Sequence, residues 1–78
     1  GVETNLDPEE VIEKAISFFG KEGTGLELVD HRSCCVRFAG GGGQVEVTAA
    51  GAKDTTSVEL VTQEWDYDVR KFMEEIAS

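Results

Sequence analysis

The fold is decided by residues 34–49, CCVRFAGGGGQVEVTA, where apolar and polar side chains alternate on both sides of four consecutive glycines. Alternation with a period of two is typical of β-strands with one buried face, and glycines between two such runs predict a hairpin. We expect Val36 to lie opposite Val47, because a slip of one residue would turn the apolar set towards solvent. Phe38 then lies opposite Val45.

Two further runs with the same period extend this hairpin into a larger sheet. Residues 26–29 precede it and residues 55–63 follow it. The breaks between runs are short, which favours antiparallel pairing, because parallel strands need a long crossover connection. The sequence therefore predicts a four-stranded antiparallel meander. Its other inward-facing pairs are expected to be Leu26–Phe38, Leu28–Val36 and Val47–Val58.

One amphipathic helix is predicted before the strands in the sequence, and another is predicted after them. Asp7 is a suitable N-cap before Pro8, and the apolar spacing that follows predicts a helix over residues 8–19. Asp66 is the expected cap of a second helix over residues 67–77. Each helix has one apolar face, and packing both on the same side of the sheet buries all three. The predicted fold is an α+β two-layer sandwich in the order α-β-β-β-β-α.

Composition limits the possible functions. The 78 residues suit a single domain, 1–78, with residues 1–6 as an N-terminal extension. Sixteen acidic residues against seven basic ones give a net charge of −9, which repels phosphate backbones, so we expect no nucleic-acid partner. Residues 1–5 have neither basic nor strongly apolar character, which favours a cytoplasmic protein without membrane contact. Because so small a core leaves little room for a deep site, we expect no enzyme activity and no cofactor.

The predicted sheet has one uncovered face, and its charges suggest a contact surface. The expected register places Arg37 in one row with Glu27, Glu46 and Glu59. Arg37 is then either an anion contact or the centre of a solvated ladder of charges. We favour the ladder, because exposed ion pairs are common on protein surfaces and weak. Uncharged residues in the neighbouring rows, Cys35 and Val61 among them, would suit a protein partner or a second copy of the chain.

The two adjacent cysteines are the residues most suggestive of chemistry. His31, Cys34 and Cys35 are the soft metal ligands of the chain. If all of 34–39 is strand, Cys34 faces the core and Cys35 faces outwards, so they cannot share a metal ion. Adjacent residues also do not reach ordinary disulfide geometry. We therefore predict no metal site and no catalytic residue, and a thiol or metal site ranks third among the possible functions.

Two other motifs have a structural and a functional interpretation. Residues 40–43, four glycines, resemble a phosphate loop only superficially, because a strand and not a helix follows them. A hairpin tip is the simpler interpretation. Trp65 and Tyr67 lie among acidic residues next to the second helix. Trp65 would fold over the edge of the core, or both aromatic side chains would anchor a basic partner segment.

The function expected from these observations is that of a small acidic, non-catalytic interaction module, which binds a protein partner or associates with itself. Its candidate contact residues are Cys35, Arg37, Val61, Trp65 and Tyr67. The alternative is a small-molecule binder, because aromatic and Met side chains can yield to an apolar ligand. Its groove would lie between the sheet and four helix residues, Phe18, Phe19, Phe72 and Met73.

Overall fold

The computed structural model describes residues 1–77. Its elements in chain order are β1 (Val2–Thr4), α1 (Pro8–Phe19), β2 (Glu27–His31), β3 (Cys35–Gly40), β4 (Gly43–Gly51), β5 (Thr56–Gln63) and α2 (Asp66–Ile76). The five strands form one antiparallel sheet in the order β1-β5-β4-β3-β2. The predicted α+β class and the antiparallel meander from β2 to β5 are confirmed.

The predicted number of strands was wrong. Residues 1–6, expected to be an extension, contain β1, which pairs with β5 through Val2 opposite Val58 and Thr4 opposite Thr56. Three residues are too few to display a period, so alternation could not reveal this strand. Both threonines are buried, and the Thr56 hydroxyl donates a hydrogen bond to the carbonyl oxygen of Leu6. The chain is thereby held at the sheet edge before α1 begins.

Helix α1 begins and ends where the sequence predicts. Asp7 is its N-cap in extended conformation, and the Asp7 backbone N–H donates to Glu10 Oε1 at 3.0 Å. Pro8 occupies the first turn, where a missing backbone N–H has no cost. The helix contacts β3 and β4 in the middle of the sheet. The buried side chains of α1 are Val11, Ile12, Ala15 and Phe19.

Helix α2 lies one residue earlier than predicted, and its N-cap is Trp65 rather than Asp66. Asp66 and Asp68 instead occupy the first turn, where negative charge interacts favourably with the helix dipole. The helix contacts β5 and α1. Within residues 1–77, neither helix is long and apolar enough to cross a membrane. The buried side chains of α2 are Val69, Phe72 and Ile76.

One cluster of buried side chains joins both helices to the sheet. At its centre the Phe19 ring lies 5.3 Å from the Phe72 ring and 5.5 Å from the Phe38 ring, measured between centroids. Phe18 is half-buried at the edge of the cluster, with its ring edge-on to Phe19 at 5.0 Å. Such tilted aromatic contacts stabilise a core beyond the area that they bury. The strand residues of the cluster are Val36, Phe38, Val45, Val47, Ala49 and Val58.

The β3–β4 hairpin has the predicted register. Val36 lies opposite Val47 and Phe38 opposite Val45. Gly40 and the glycine opposite it, Gly43, are still paired, so the turn itself has only two residues. The two turn residues, Gly41 and Gly42, have positive φ angles of 57° and 82°, as a hairpin turn of type I′ requires.

The predicted register between β4 and β5 was wrong by two residues. Val47 lies opposite Leu60, and Val58 lies opposite Ala49. The turn after Gly51 is closed by a hydrogen bond from the Ala52 N–H to the Thr55 carbonyl oxygen. Because side chains alternate with a period of two, this shift leaves every residue of β5 on its predicted face. Only its cross-strand neighbours change.

The predicted register between β2 and β3 was also wrong. Leu28 lies opposite Phe38 instead of Val36, and Leu26 precedes the strand. The pairing then shifts between Leu28 and Asp30, which places His31 opposite Val36. A bulge of this kind puts one extra residue on one strand and changes the partner of every residue beyond it. Alternation alone does not reveal such an insertion.

Candidate interaction surface

The sheet has a second face, which we call the open face. Its side chains alternate with the buried ones, and in residues 1–77 all of them are exposed or half-buried. The open face is therefore the broadest surface of the domain that the helices do not cover. From the β1 edge to the β2 edge it consists of Glu3, Ser57, Glu59, Val61, Gln63, Gln44, Glu46, Thr48, Ala50, Cys35, Arg37, Ala39, Glu27 and Asp30.

The central row of the open face contains two of the candidate contact residues. Arg37 lies opposite Glu46, as predicted, and opposite Asp30 on its other side. Glu46 in turn lies opposite Val61. Directly opposed residues on one face are close enough to interact. The structure thus brings Arg37 and Val61 into one row with a carboxylate between them.

The other two carboxylates predicted for this row lie elsewhere on the face. Glu27 lies opposite Ala39, because the turn lies at residues 33 and 34, later than expected, and the bulge in β2 adds one residue. Glu59 lies opposite Thr48, because of the two-residue shift between β4 and β5. Arg37 is therefore flanked by Asp30 and Glu46 instead of Glu27 and Glu46, and its row contains two carboxylates and not the three that were expected.

Charge is distributed unevenly over the open face. Arg37 is its one basic residue. In residues 1–77 no carboxylate oxygen lies within 4.0 Å of the Arg37 guanidinium, so the predicted ladder is not closed by ion pairs. Asp30 instead contacts Arg32, at 3.5 Å and in an exposed position. The acidic residues of the face are Glu3, Glu27, Asp30, Glu46 and Glu59.

An exposed apolar side chain, Val61, lies at the β5 end of the central row, next to Glu46. Val61 is 62% exposed, the highest exposure of any large aliphatic residue in residues 1–77. Cys35 and Thr48, opposite each other in the next row, are half-buried and uncharged. The surface therefore combines an acidic field with a small apolar contact at one end of its central row.

Asp30 and Glu3 were not predicted to belong to this surface. Glu3 lies opposite Ser57 in the strand that sequence periodicity could not show. Asp30 enters the central row because the turn at residues 33 and 34 pairs Arg32 with Cys35 and thereby Asp30 with Arg37. The one signal for Glu3 was its position between Val2 and Thr4, an alternation too short to interpret alone.

The predicted orientation of Cys34 was wrong. Cys34 is exposed rather than buried, and a disulfide joins it to Cys35. Strand β3 begins only at Cys35, and Ser33 and Cys34 form a two-residue turn in which the Arg32 N–H donates to the Cys35 carbonyl oxygen at 2.7 Å. The alternation that would have separated the sulfur atoms therefore does not extend to Cys34. His31, exposed at the end of β2, completes no group of three metal ligands within residues 1–77.

The two aromatic candidates lie apart from the open face, at the start of α2. Trp65 is half-buried against the core, and its Nε1–H donates to the Gly40 carbonyl oxygen at 2.9 Å. A Cβ atom at Gly41 would lie 2.8 Å from Trp65 Cζ2, so the indole closes over the glycine turn. Tyr67 is 68% exposed, and the Lys71 ammonium lies 5.6 Å from the centre of its ring. The structure thus separates the five candidates into two groups.

The groove considered for a small molecule is largely filled by aromatic rings. Phe19 and Phe72 are buried in contact with each other, and Met73 packs partly buried beside them. What lies open is a cleft of about 330 Å³ on the outer side of the helices. Its lining is Lys14, Ser17, Phe18, Phe72, Glu75 and Ile76.

No family model matches this chain, and no curated protein or solved structure shows significant similarity to it.

Proposed function

We propose that this chain is a non-catalytic interaction module whose open face binds a basic segment of a partner protein. The observation that supports the proposal is that five carboxylates and one arginine share the open face with the exposed side chain of Val61. In this two-layer arrangement the helices cover one side of the sheet and leave the other free for a partner. A surface with this charge attracts Lys and Arg side chains and repels acidic ones.

Attraction at the open face must come from several weak contacts. An exposed ion pair contributes only about 0.2–1 kcal/mol, so no single carboxylate would hold a partner. Five carboxylates on one face give a basic segment several such contacts. The stems of Lys and Arg are aliphatic and pack on apolar surface, for which Val61 and Ala39 are available. The proposed ligand is therefore a polypeptide with more than one basic residue.

Self-association through the open face is the less favourable alternative. A second copy would bring the same acidic face, or another surface of a chain with net charge −9, against these carboxylates. Like charges placed opposite each other at an interface are costly. A dimer formed at higher salt would point to this alternative, because salt screens the repulsion.

Arg37 distinguishes the two interpretations of the central row. If the face binds a basic ligand, Arg37 reduces the attraction, and its removal strengthens binding. If Arg37 is instead an anion contact, its removal weakens binding of an acidic ligand and leaves a basic one unaffected. The sign of the effect of Arg37→Gln therefore decides between them.

The experiment measures binding of a fluorescein-labelled peptide of alternating Lys and Val residues by fluorescence anisotropy at low and high salt. We expect the double variant Glu46→Gln/Glu59→Gln to weaken binding about fivefold, from two exposed contacts of about 0.5 kcal/mol each. Arg37→Gln should tighten binding about twofold. Salt should weaken binding to the wild-type protein.

A matched control removes two charges from the opposite side of the domain. Glu9 and Glu13 are exposed on α1, and the double variant Glu9→Gln/Glu13→Gln has the same net charge as Glu46→Gln/Glu59→Gln. We expect it to change peptide affinity less than about twofold. If both double variants weaken binding equally, only the net charge attracts the peptide, and the open face is not the binding site.

The second candidate function is binding of a small amphipathic molecule in the cleft beside α1 and α2. Its lining includes the basic Lys14 and the apolar Phe18 and Ile76, which suit an aliphatic carboxylate. Octanoate titrated into the protein by calorimetry would test this candidate, with Lys14→Met as the variant expected to weaken binding. Absence of any heat at millimolar octanoate would argue against it.

A further inference from the structure

The disulfide between Cys34 and Cys35 lies at the tip of the β2–β3 hairpin. We propose that this disulfide is a reversible redox site, which an external dithiol reduces in the folded protein, and not a structural cross-link. The inference is independent of the function proposed for the open face. It rests on three features of the pair: the loop that the bond closes, the exposure of Cys34 and the hydrogen bonds around the turn.

The bond closes the shortest loop that a disulfide can close. A cross-link stabilises a protein mainly by restricting the unfolded chain, and this effect grows with the number of residues enclosed. Cys34 and Cys35 are adjacent, so the bond encloses no other residue. Their Cα atoms are 3.8 Å apart, which is below the usual range for disulfides of about 4.4–6.8 Å. A structural role therefore does not account for the bond.

One of the two cysteines is accessible to an attacking thiolate. Cys34 is exposed in the turn, whereas Cys35 is half-buried at the start of β3. Thiol–disulfide exchange requires direct approach to a sulfur atom, so Cys34 Sγ is the expected point of attack. The exposed Arg32 lies just before the turn, and its positive charge favours the thiolates that reduction releases.

The exchange can be written with an external dithiol as the reductant. Its first thiolate attacks Cys34 Sγ, forming a mixed disulfide and releasing Cys35 as a thiolate, which takes up a proton. The second thiolate of the reductant attacks its own sulfur in the mixed disulfide and releases Cys34. The protein gains two electrons and two protons, and the dithiol becomes a cyclic disulfide.

The turn has backbone hydrogen bonds that do not depend on the disulfide. The Arg32 N–H donates to the Cys35 carbonyl oxygen at 2.7 Å. The Ala49 N–H on β4 donates to the Cys34 carbonyl oxygen at 2.9 Å. These contacts involve main-chain atoms only, so they are compatible with both the oxidised and the reduced pair. The fold is therefore expected to persist through a redox cycle.

The experiment counts thiols in the native protein by iodoacetamide labelling and intact mass, before and after treatment with dithiothreitol. We expect no labelled thiol before reduction and two afterwards, with unchanged circular dichroism. Reduction of the folded protein should be within about tenfold of its rate in denaturing urea, because the attacked sulfur is exposed. Two thiols before reduction, or reduction that requires urea, would overturn the proposal.

Single variants test the assignment of the attacked sulfur. Cys35→Ser leaves the exposed Cys34 thiol, and Cys34→Ser leaves the half-buried Cys35 thiol. Iodoacetamide should label the first variant severalfold faster under native conditions, since accessibility governs such reactions. The opposite order would overturn attack at Cys34. The double variant Cys34→Ser/Cys35→Ser should take up no label and should show no response to dithiothreitol.

Discussion

The two hairpins that share β3 differ in the residues that form their turns. The β3–β4 turn consists of Gly41 and Gly42, both with positive φ, and its pairing runs without interruption to Cys35 opposite Thr48. The β2–β3 turn consists of two residues, 33 and 34, without a positive φ angle, and its pairing shifts near the middle of β2. Positive φ at both turn residues matches the twist of the strands. A regular ladder accompanies the matched turn, and a bulge accompanies the other.

This difference also determines what the four glycines do. A two-residue turn explains two of them, Gly41 and Gly42, through their φ angles. Gly40 and Gly43 are explained by close packing, because a Cβ on Gly40 would lie 2.8 Å from Leu26 Cδ2 and one on Gly43 would overlap the Gln63 carbonyl oxygen. The run of four glycines is thus a tight turn with a closely packed glycine on each side.

The largest effect is expected from placing a side chain in the β3–β4 hairpin. Gly43→Ala should reduce the free energy of unfolding by about 3 kcal/mol, because the new Cβ meets the backbone of β5, which cannot move without shifting a strand. Urea denaturation followed by circular dichroism measures the loss.

The matched control lies one residue earlier. Gly42 has a φ of 82° but nothing within 4 Å of the position that a Cβ would occupy. Gly42→Ala should therefore lower the free energy of unfolding by only about 1 kcal/mol, which is the cost of placing alanine in the left-handed conformation. Equal losses in the two variants would show that close approach to β5 is not the reason for Gly43.

A smaller loss of stability is expected at Trp65, whose indole ring packs on the turn of the same hairpin. Trp65→Phe keeps an aromatic ring but removes the hydrogen bond from Nε1 to the Gly40 carbonyl oxygen. We expect a loss of about 1.5 kcal/mol in the free energy of unfolding. The control is Tyr67→Phe, two residues later and largely exposed, which should stay within about 0.5 kcal/mol of wild type. Thermal unfolding of both variants makes the comparison, and a larger loss for Tyr67→Phe would contradict a structural role confined to Trp65.

The difference between elements with and without a distinctive local pattern explains how much of the fold could be predicted from the sequence. Helix α1 was predicted to the residue, because Asp7, Pro8 and a regular apolar stripe all indicate the same boundaries. The β3–β4 register followed from alternation next to glycines. Strand β1 could not be predicted, since its three residues pair with β5 only through contacts distant in the sequence. Local patterns do not contain that information.

The neighbours of each residue on the open face could be predicted only where the strand register could be predicted. Arg37 opposite Glu46 was correct, because both residues lie in the β3–β4 hairpin. The positions of Glu27 and Glu59 were wrong, because each lies on a strand whose register depends on a bulge or a turn without a distinctive sequence. The cysteine pair was misassigned for the same reason, as the boundary between turn and strand falls between its two members.

The smallest effect is expected at the tip of the β2–β3 hairpin, where the double variant Cys34→Ser/Cys35→Ser removes the disulfide. An ordinary disulfide contributes about 2–4 kcal/mol, mostly by closing a long loop in the unfolded chain. Here no residue is enclosed, so we expect the free energy of unfolding to change by less than about 0.5 kcal/mol. Urea denaturation of the oxidised, reduced and double-serine proteins should give three nearly coincident transitions. A loss near 2 kcal/mol in the last two would mean that the disulfide holds the turn, and this tip would then be as dependent on its residues as the glycine turn at the other end of β3.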